Sequence, residues 1–123
     1  MLKVVASWPD KRLNPNWKRS HHWTTYSHAT KVQREEGWAI ILEQLHGGVA
    51  DVAALTKDGR IPLGFHFVPP DRRARDDDNL LGSLKALRDG MAKALDIDDS
   101  LFRIVTPTYG APTKPGRVEI TIG

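Results

Sequence analysis

Asp78-Asn79-Leu80-Leu81-Gly82-Ser83-Leu84-Lys85-Ala86-Leu87-Arg88-Asp89-Gly90-Met91-Ala92-Lys93-Ala94-Leu95 is the most regular stretch of the chain. Leu80, Leu81, Leu84, Leu87, Met91 and Leu95 recur at helical spacing on one side, while Gly82, Lys85 and Asp89 lie opposite, on the face that starts at Asp78. The spacing predicts one helix over Asp78–Leu95, with a buried stripe and a polar stripe. That stripe must pack on another layer, and strands flank it on both sides. Ile61–Val68 alternates as a strand and is broken by Pro69-Pro70; Leu101–Thr108 and Arg117–Ile122 read as two strands joined by the Gly/Pro-rich Tyr109–Gly116.

The N-terminal half adds a Val-rich strand, Leu2–Trp8, ended by Pro9. Asp10–Thr25 holds Pro and Asn without helical period and reads as a long loop. Ser27 is placed as the N-cap of a helix that runs to about His46, where Gly47-Gly48 stops it. Its apolar positions Val32, Trp38, Ile41, Leu42 and Leu45 are assigned to the core, whereas Val49–Thr56 is either a short helix or an irregular strand. The expected fold is α+β (mixed α/β): a small single domain over residues 1–123, with a mixed sheet and two main helices packed on it.

Composition narrows the chemistry. A chain of 123 residues holds one ordinary core, and 40% apolar with 27% charged residues is globular. The absence of cysteine excludes disulfides, thiolate zinc sites, iron–sulfur clusters and cysteine nucleophiles. The apolar runs, such as Trp38–Leu42, fall well short of the ~20 residues a bilayer span needs. Met1–Trp8 lacks the apolar region of a signal peptide, so a cytoplasmic setting is expected.

Net charge is only +3, but its distribution is uneven. Lys11, Arg12, Lys18, Arg19, Lys31 and Arg34 crowd the N-terminal region; Arg72, Arg73 and Arg75 then run directly into Asp76-Asp77-Asp78, and Asp98-Asp99 follow the long helix. Basic flanks around an acidic centre suit an enzyme that acts on a polyanion. In an extended stretch Asp76 and Asp78 face the same way; whether Asp98 and Asp99 return to them depends on the fold, since an 18-residue helix is roughly 27 Å long. Converging carboxylates would favour Mg²⁺ or Mn²⁺, because oxygen-only ligands suit hard cations. The competing explanation is structural: Asp caps a helix start and Asp-Asp-Ser makes a turn.

Arg75-Asp76-Asp77-Asp78-Asn79-Leu80, then Lys85-Ala86-Leu87-Arg88-Asp89, then Asp98-Asp99, resembles the RusA family of Holliday junction resolvases. That family's pattern is R-D-x-D-N-L, K-A-x-x-D in the helix, and D-D before the next strand; the closing Gly116–Ile122 strand matches too, while the N-terminal half matches loosely. The resemblance implies a homodimeric, Mg²⁺-dependent endodeoxyribonuclease (Mn²⁺ substituting) that resolves four-way DNA junctions by paired symmetric nicks in recombination and repair. It assigns Asp76, Asp78 and Asp99 as catalytic metal ligands, with Asp98 and Asn79 supporting.

The family's helix lysine would fall at Gly82; on an alignment with an insertion, Lys85 is its counterpart, shares the helix face of Asp78 and neutralises phosphate charge. Arg72, Arg73, Arg75, Lys11, Arg12, Lys18 and Arg19 would grip flanking phosphates. Branched DNA and a second copy are the implied partners, with no membrane and no small-molecule cofactor; a bacterial, phage or prophage source fits the family. Two alternatives stay open: a non-catalytic structure-specific nucleic-acid-binding protein whose aspartates are caps, and a relative that binds junctions without turnover because Gly82 replaced the lysine. Trp17, Trp23 and Tyr26 either stack on unpaired bases or anchor the loop. His66 is assigned a structural role.

Overall fold

The structure, a computed structural model, describes residues 1–123. One mixed sheet runs through it. β1 (Leu2–Ser7) pairs antiparallel with β5 (Arg117–Ile122), and β5 pairs antiparallel with β2 (Ile61–Val68). β2 then takes two short parallel partners in succession, β3 (Phe102–Ile104) and β4 (Thr108–Tyr109). The order is β1-β5-β2-β3, with β4 beside the later part of β2. The sheet buries Val4 and Ala6 of β1, Ile61, Leu63, Phe65 and Phe67 of β2, and Val118, Ile120 and Ile122 of β5. These positions alternate along each strand and therefore share one face.

The helices are α1 (Pro15–Arg19), α2 (Ser27–Leu45), α3 (Val52–Leu55), α4 (Asp77–Gly82) and α5 (Lys85–Leu95). The coarse expectation holds: a small mixed α+β domain with helices on a mixed sheet. Five details differ from the sequence-based expectation. The expected loop Asp10–Thr25 is mostly helical turns: Lys11–Leu13, α1 and Trp23–Thr25. Asp10, Asn14 and His22 cap these turns through their side chains, and Leu13 is buried. The residues that looked like loop residues are helix caps. Ser27, expected as the N-cap of α2, is its first helical residue; Tyr26 holds the cap position and makes no side-chain cap bond. The strand expected over Leu101–Thr108 is two pieces, with Val105 N–H bonded to Leu63 C=O between them.

The fourth difference is the face of α2. Its buried residues are Ala29, Gln33, Gly37 and Ile41, while Trp38 is 44% exposed and Val32 50% exposed. Small residues win that face because α5 comes very close. A Cβ on Gly37 would lie 2.2 Å from Leu87 carbonyl oxygen, and a Cβ on Gly90 would lie 2.0 Å from that of Arg34. Glycines on both helices let the two backbones touch.

The fifth difference bears on the site. The expected single helix Asp78–Leu95 is two helices, interrupted at Ser83-Leu84. Ser83 Oγ donates back to the carbonyls of Asn79 and Leu80, at 2.7 and 2.8 Å, which competes with continuation of the helix. α4 ends there and α5 begins anew at Lys85.

Candidate functional site

Asp76 precedes α4 in extended conformation, and its Oδ1 accepts the N–H groups of Asp78 and Asn79, at 2.8 and 3.3 Å. Asp76 is thus an N-cap, and Asp77 and Asp78 form the acidic first turn, which the helix dipole favours. Asp77 accepts the Tyr109 hydroxyl proton in a short hydrogen bond, so β4 is tied to the start of α4. Burial, then the hydrogen bond to Asp77, then the charges of Asp77 and Asp76 push the Tyr109 phenol up to about 12. The Tyr109 ring also stacks on Phe67, with centroids 5.6 Å apart.

The second acidic group forms around Lys85. Lys85 Nζ donates to Asp89 at 2.8 Å and, in a short contact, to Asp99. Asp99 opens the 3-10 turn Asp99–Leu101 that Asp98 caps through its side chain. The hydrogen bonds to Asp89 and then Asp99 raise the lysine; the lysine's hydrogen bond and charge hold the Asp99 carboxyl below its usual range. Arg88 lies alongside, its Nη2 donating to the Leu81 carbonyl at 3.1 Å, and burial pushes its guanidinium down.

The predicted site residues therefore fall into two groups. Asp76, Asp78 and Asn79 stand at the start of α4, and Lys85, Asp98 and Asp99 at the start of α5 and the turn after it. Asp78 and Lys85, expected on one face of a single helix, lie on different helices, α4 and α5, separated by the break at Ser83-Leu84. All candidate donors are oxygens, the chemistry of Mg²⁺ or Mn²⁺ sites. As placed, however, they make no cage: no group of three or more His, Asp or Glu side chains is positioned to hold a metal ion.

Gly82 has its own explanation. A Cβ there would lie 2.6 Å from Pro15 Cγ, because α1 packs against α4 at this point. A lysine at 82 would require α1 to move. Lys85, at the first position of α5, instead brings an ammonium to Asp99.

Some of the predicted basic residues gather and others do not. Lys11, Arg12, Arg73 and Arg75 line one cleft of about 970 Å³ together with Asp76 and Asn79. Arg12 is already paired with Asp10, at 2.7 Å. Arg75 is engaged still further: it pairs with Asp71 at 2.6 Å, donates to the carbonyls of Asp71 and Arg73, and lies 5.2 Å over the Trp8 ring. It shapes the arginine loop more than it offers a free cation. Arg72 and Arg73 are exposed. Lys18 and Arg19 sit on α1, Lys18 5.2 Å over Tyr26 and Arg19 donating to Asn16. Trp17 is stacked on His21 with centroids 3.5 Å apart, while Trp23 is 60% exposed. His66 bonds Thr108 Oγ1 at 2.7 Å.

Tyr109 is the site residue that the sequence did not single out, whereas Asp89 enters the site as the i,i+4 partner of Lys85, at 2.8 Å. Asp89 carried a signal, standing four residues after Lys85 on a helix. Tyr109 carried none, because its approach to Asp77 depends on β4 pairing with β2.

No protein-family model matches the chain. It is 40% identical to an uncharacterized protein of Xylella fastidiosa (strain Temecula1) over 122 residues, which is 99% of this chain and 76% of that protein. At that identity and coverage the chain belongs to the family of this Xylella fastidiosa protein.

Proposed function

We propose that this chain is a RusA-like, structure-selective endodeoxyribonuclease that cuts four-way DNA junctions by phosphodiester hydrolysis, acting as a homodimer in recombination and repair. The observation that carries the proposal is Lys85. This lysine comes from the counterpart of the family's K-A-x-x-D segment and lies against Asp99 of the distant D-D pair. The cleft that joins Asp76 to Lys11, Arg12 and Arg73 supports the same reading, since it offers phosphate-binding cations beside an acidic edge.

The residue roles follow from the chemistry. Lys85 supplies positive charge where a phosphate gains negative charge, and Asp76, Asp78 and Asp99 supply hard oxygen ligands, with Asp98 and Asn79 supporting. Exposed Arg72, Arg73, Lys11 and Arg19, together with half-buried Lys18, hold flanking phosphates, with Arg12 and Arg75 ordering the loops between them. Mg²⁺, with Mn²⁺ as substitute, belongs to the proposal through donor chemistry alone. A C2 dimer presents two equal sites to the two strands of a nearly two-fold junction. A bacterial cytoplasmic or phage-encoded setting accompanies the reading; no helix is long and apolar enough to cross a membrane.

The separation of the two acidic groups favours a second reading, a non-catalytic protein that binds branched DNA through the basic cleft. A labelled four-way junction and a linear duplex of the same sequence, each with and without Mg²⁺, decide between them. Paired nicks in the junction that depend on the metal support the nuclease. Tight, metal-independent binding without a nick at any Mg²⁺ or Mn²⁺ concentration supports the binding protein.

A further inference from the structure

The interior holds two buried polar side chains, Gln33 and Ser83, and both serve the break between α4 and α5. A helix end leaves backbone groups without partners, and inside a core each must find one. α5 starts after Leu84, which has no side-chain cap to offer. Gln33 reaches across from α2: its Nε2 donates to the Ser83 carbonyl at 2.8 Å, and its Oε1 accepts the Leu87 N–H at 3.0 Å. One amide thus satisfies the end of one helix and the start of the next. Gly37, one turn further along α2, permits the close backbone approach that brings the amide within reach.

We propose that Gln33 is a positioning residue: by anchoring the helix break, it fixes where α5 begins and so holds Lys85 against Asp89 and Asp99. The proposal rests on the nuclease reading for its consequence in catalysis, but the anchor itself can be measured without DNA. Lys85 is the first residue of α5, two positions before the Leu87 amide that Gln33 grips. Loss of the anchor frees that turn, and the lysine loses its place between the two carboxylates. With Pro15 of α1 packed on Gly82, the lysine follows the break rather than preceding it.

The test uses Gln33→Met, which keeps volume and removes both hydrogen bonds. Gln33→Asn, an amide one methylene too short to bridge, takes the same measurements if the Met variant fails to fold. In the metal-free protein, hydrogen exchange at the Leu87 amide is expected to quicken at least tenfold relative to the β2 amides. The Lys85 ammonium NMR signal is expected to fade, and to fade likewise in Asp99→Asn. In junction nicking, the variant should lose at least tenfold in kcat with KM within twofold, and Gln33→Met/Lys85→Ala should be no slower than Lys85→Ala alone. Multiplying effects in the double variant, or an unchanged Leu87 amide and Lys85 signal, would overturn the proposal. If the amide and ammonium respond but the wild-type protein never nicks, the anchor is supported and the nuclease reading is what fails.

Discussion

Replacing Gly37 or Gly90 with alanine should destabilise the protein, although alanine is the better helix former. The added Cβ would sit 2.2 Å from the Leu87 carbonyl oxygen in one case and 2.0 Å from that of Arg34 in the other. Both obstacles are backbone, so no rotamer change relieves them. Relief requires the two helices to part by about 1 Å, and a gap of that size forfeits a quarter to a half of each dispersion contact across the crossing. Overpacking of this kind costs ~1–3 kcal/mol, and a rigid backbone obstacle belongs at the upper end. Alanine returns roughly 1 kcal/mol of helix propensity. The net loss is about 2 kcal/mol, or about 8 °C in the unfolding midpoint at ~4 °C per kcal/mol for a domain of this size. Gly64→Ala is the control. Its nearest contact would be Thr121 Cβ at 3.9 Å, and glycine in a strand is worse than alanine by roughly 0.5–1 kcal/mol, so this variant should melt at or above the wild type. Thermal unfolding followed by circular dichroism reads all three. Gly37→Ala and Gly90→Ala melting with the wild type would refute the close crossing of α2 and α5.

Three further outcomes follow from the site. Tyr109, raised to about 12, should ionise above the ordinary tyrosine range in an absorbance titration, and Asp77→Asn should lower it. The raised value means that the stability it reflects is complete below the ordinary tyrosine range and is lost as pH rises through about 12; a Tyr109 that ionises normally contradicts the bond to Asp77. Asp99, held low by Lys85, should titrate by carboxyl NMR below the ordinary aspartate range and return to it in Lys85→Met. The associated stability is present above that range and disappears as pH falls through the lowered value, so an Asp99 that does not respond to Lys85→Met counts against the pair. Arg75→Ala should lower the unfolding midpoint measurably, since the guanidinium is paired with Asp71 and stacked over Trp8. Arg72→Ala should shift stability by no more than about 0.5 kcal/mol; equal melting of the two variants would contradict the structural role of Arg75.

Local pattern recovered most of the architecture. β1, β2 and β5 were legible because each alternates between a buried and an open face. So was the apolar stripe Leu80, Leu84, Leu87, Met91 and Leu95, all of it buried. The face of α2 needed tertiary information. Trp38 and Val32 have core-like chemistry, yet Gly37 takes the contact with α5, because backbone proximity rewards the absence of a side chain more than the presence of a large one. The division of Asp78–Leu95 carried a faint signal in Gly82-Ser83, but the apolar stripe is continuous across it. What permits the break is an amide from a helix 50 residues earlier in the chain. The acidic residues were visible as motifs, and their grouping was not. The union of Asp99 with Lys85 and Asp89 depends on the turn after α5, and that of Asp77 with Tyr109 on the register of a two-residue strand.

The claim at the centre of this account is that Asp76, Asp99 and Lys85 serve phosphodiester cleavage. Its most direct test is a parallel measurement of binding and Mg²⁺-dependent nicking of a four-way junction by the wild type, Asp76→Asn, Asp99→Asn and Lys85→Ala. The account predicts that all four proteins bind the junction, that only the wild type cuts at full rate, and that the two aspartate variants lose cleavage. Normal cleavage by Asp76→Asn or Asp99→Asn would contradict it.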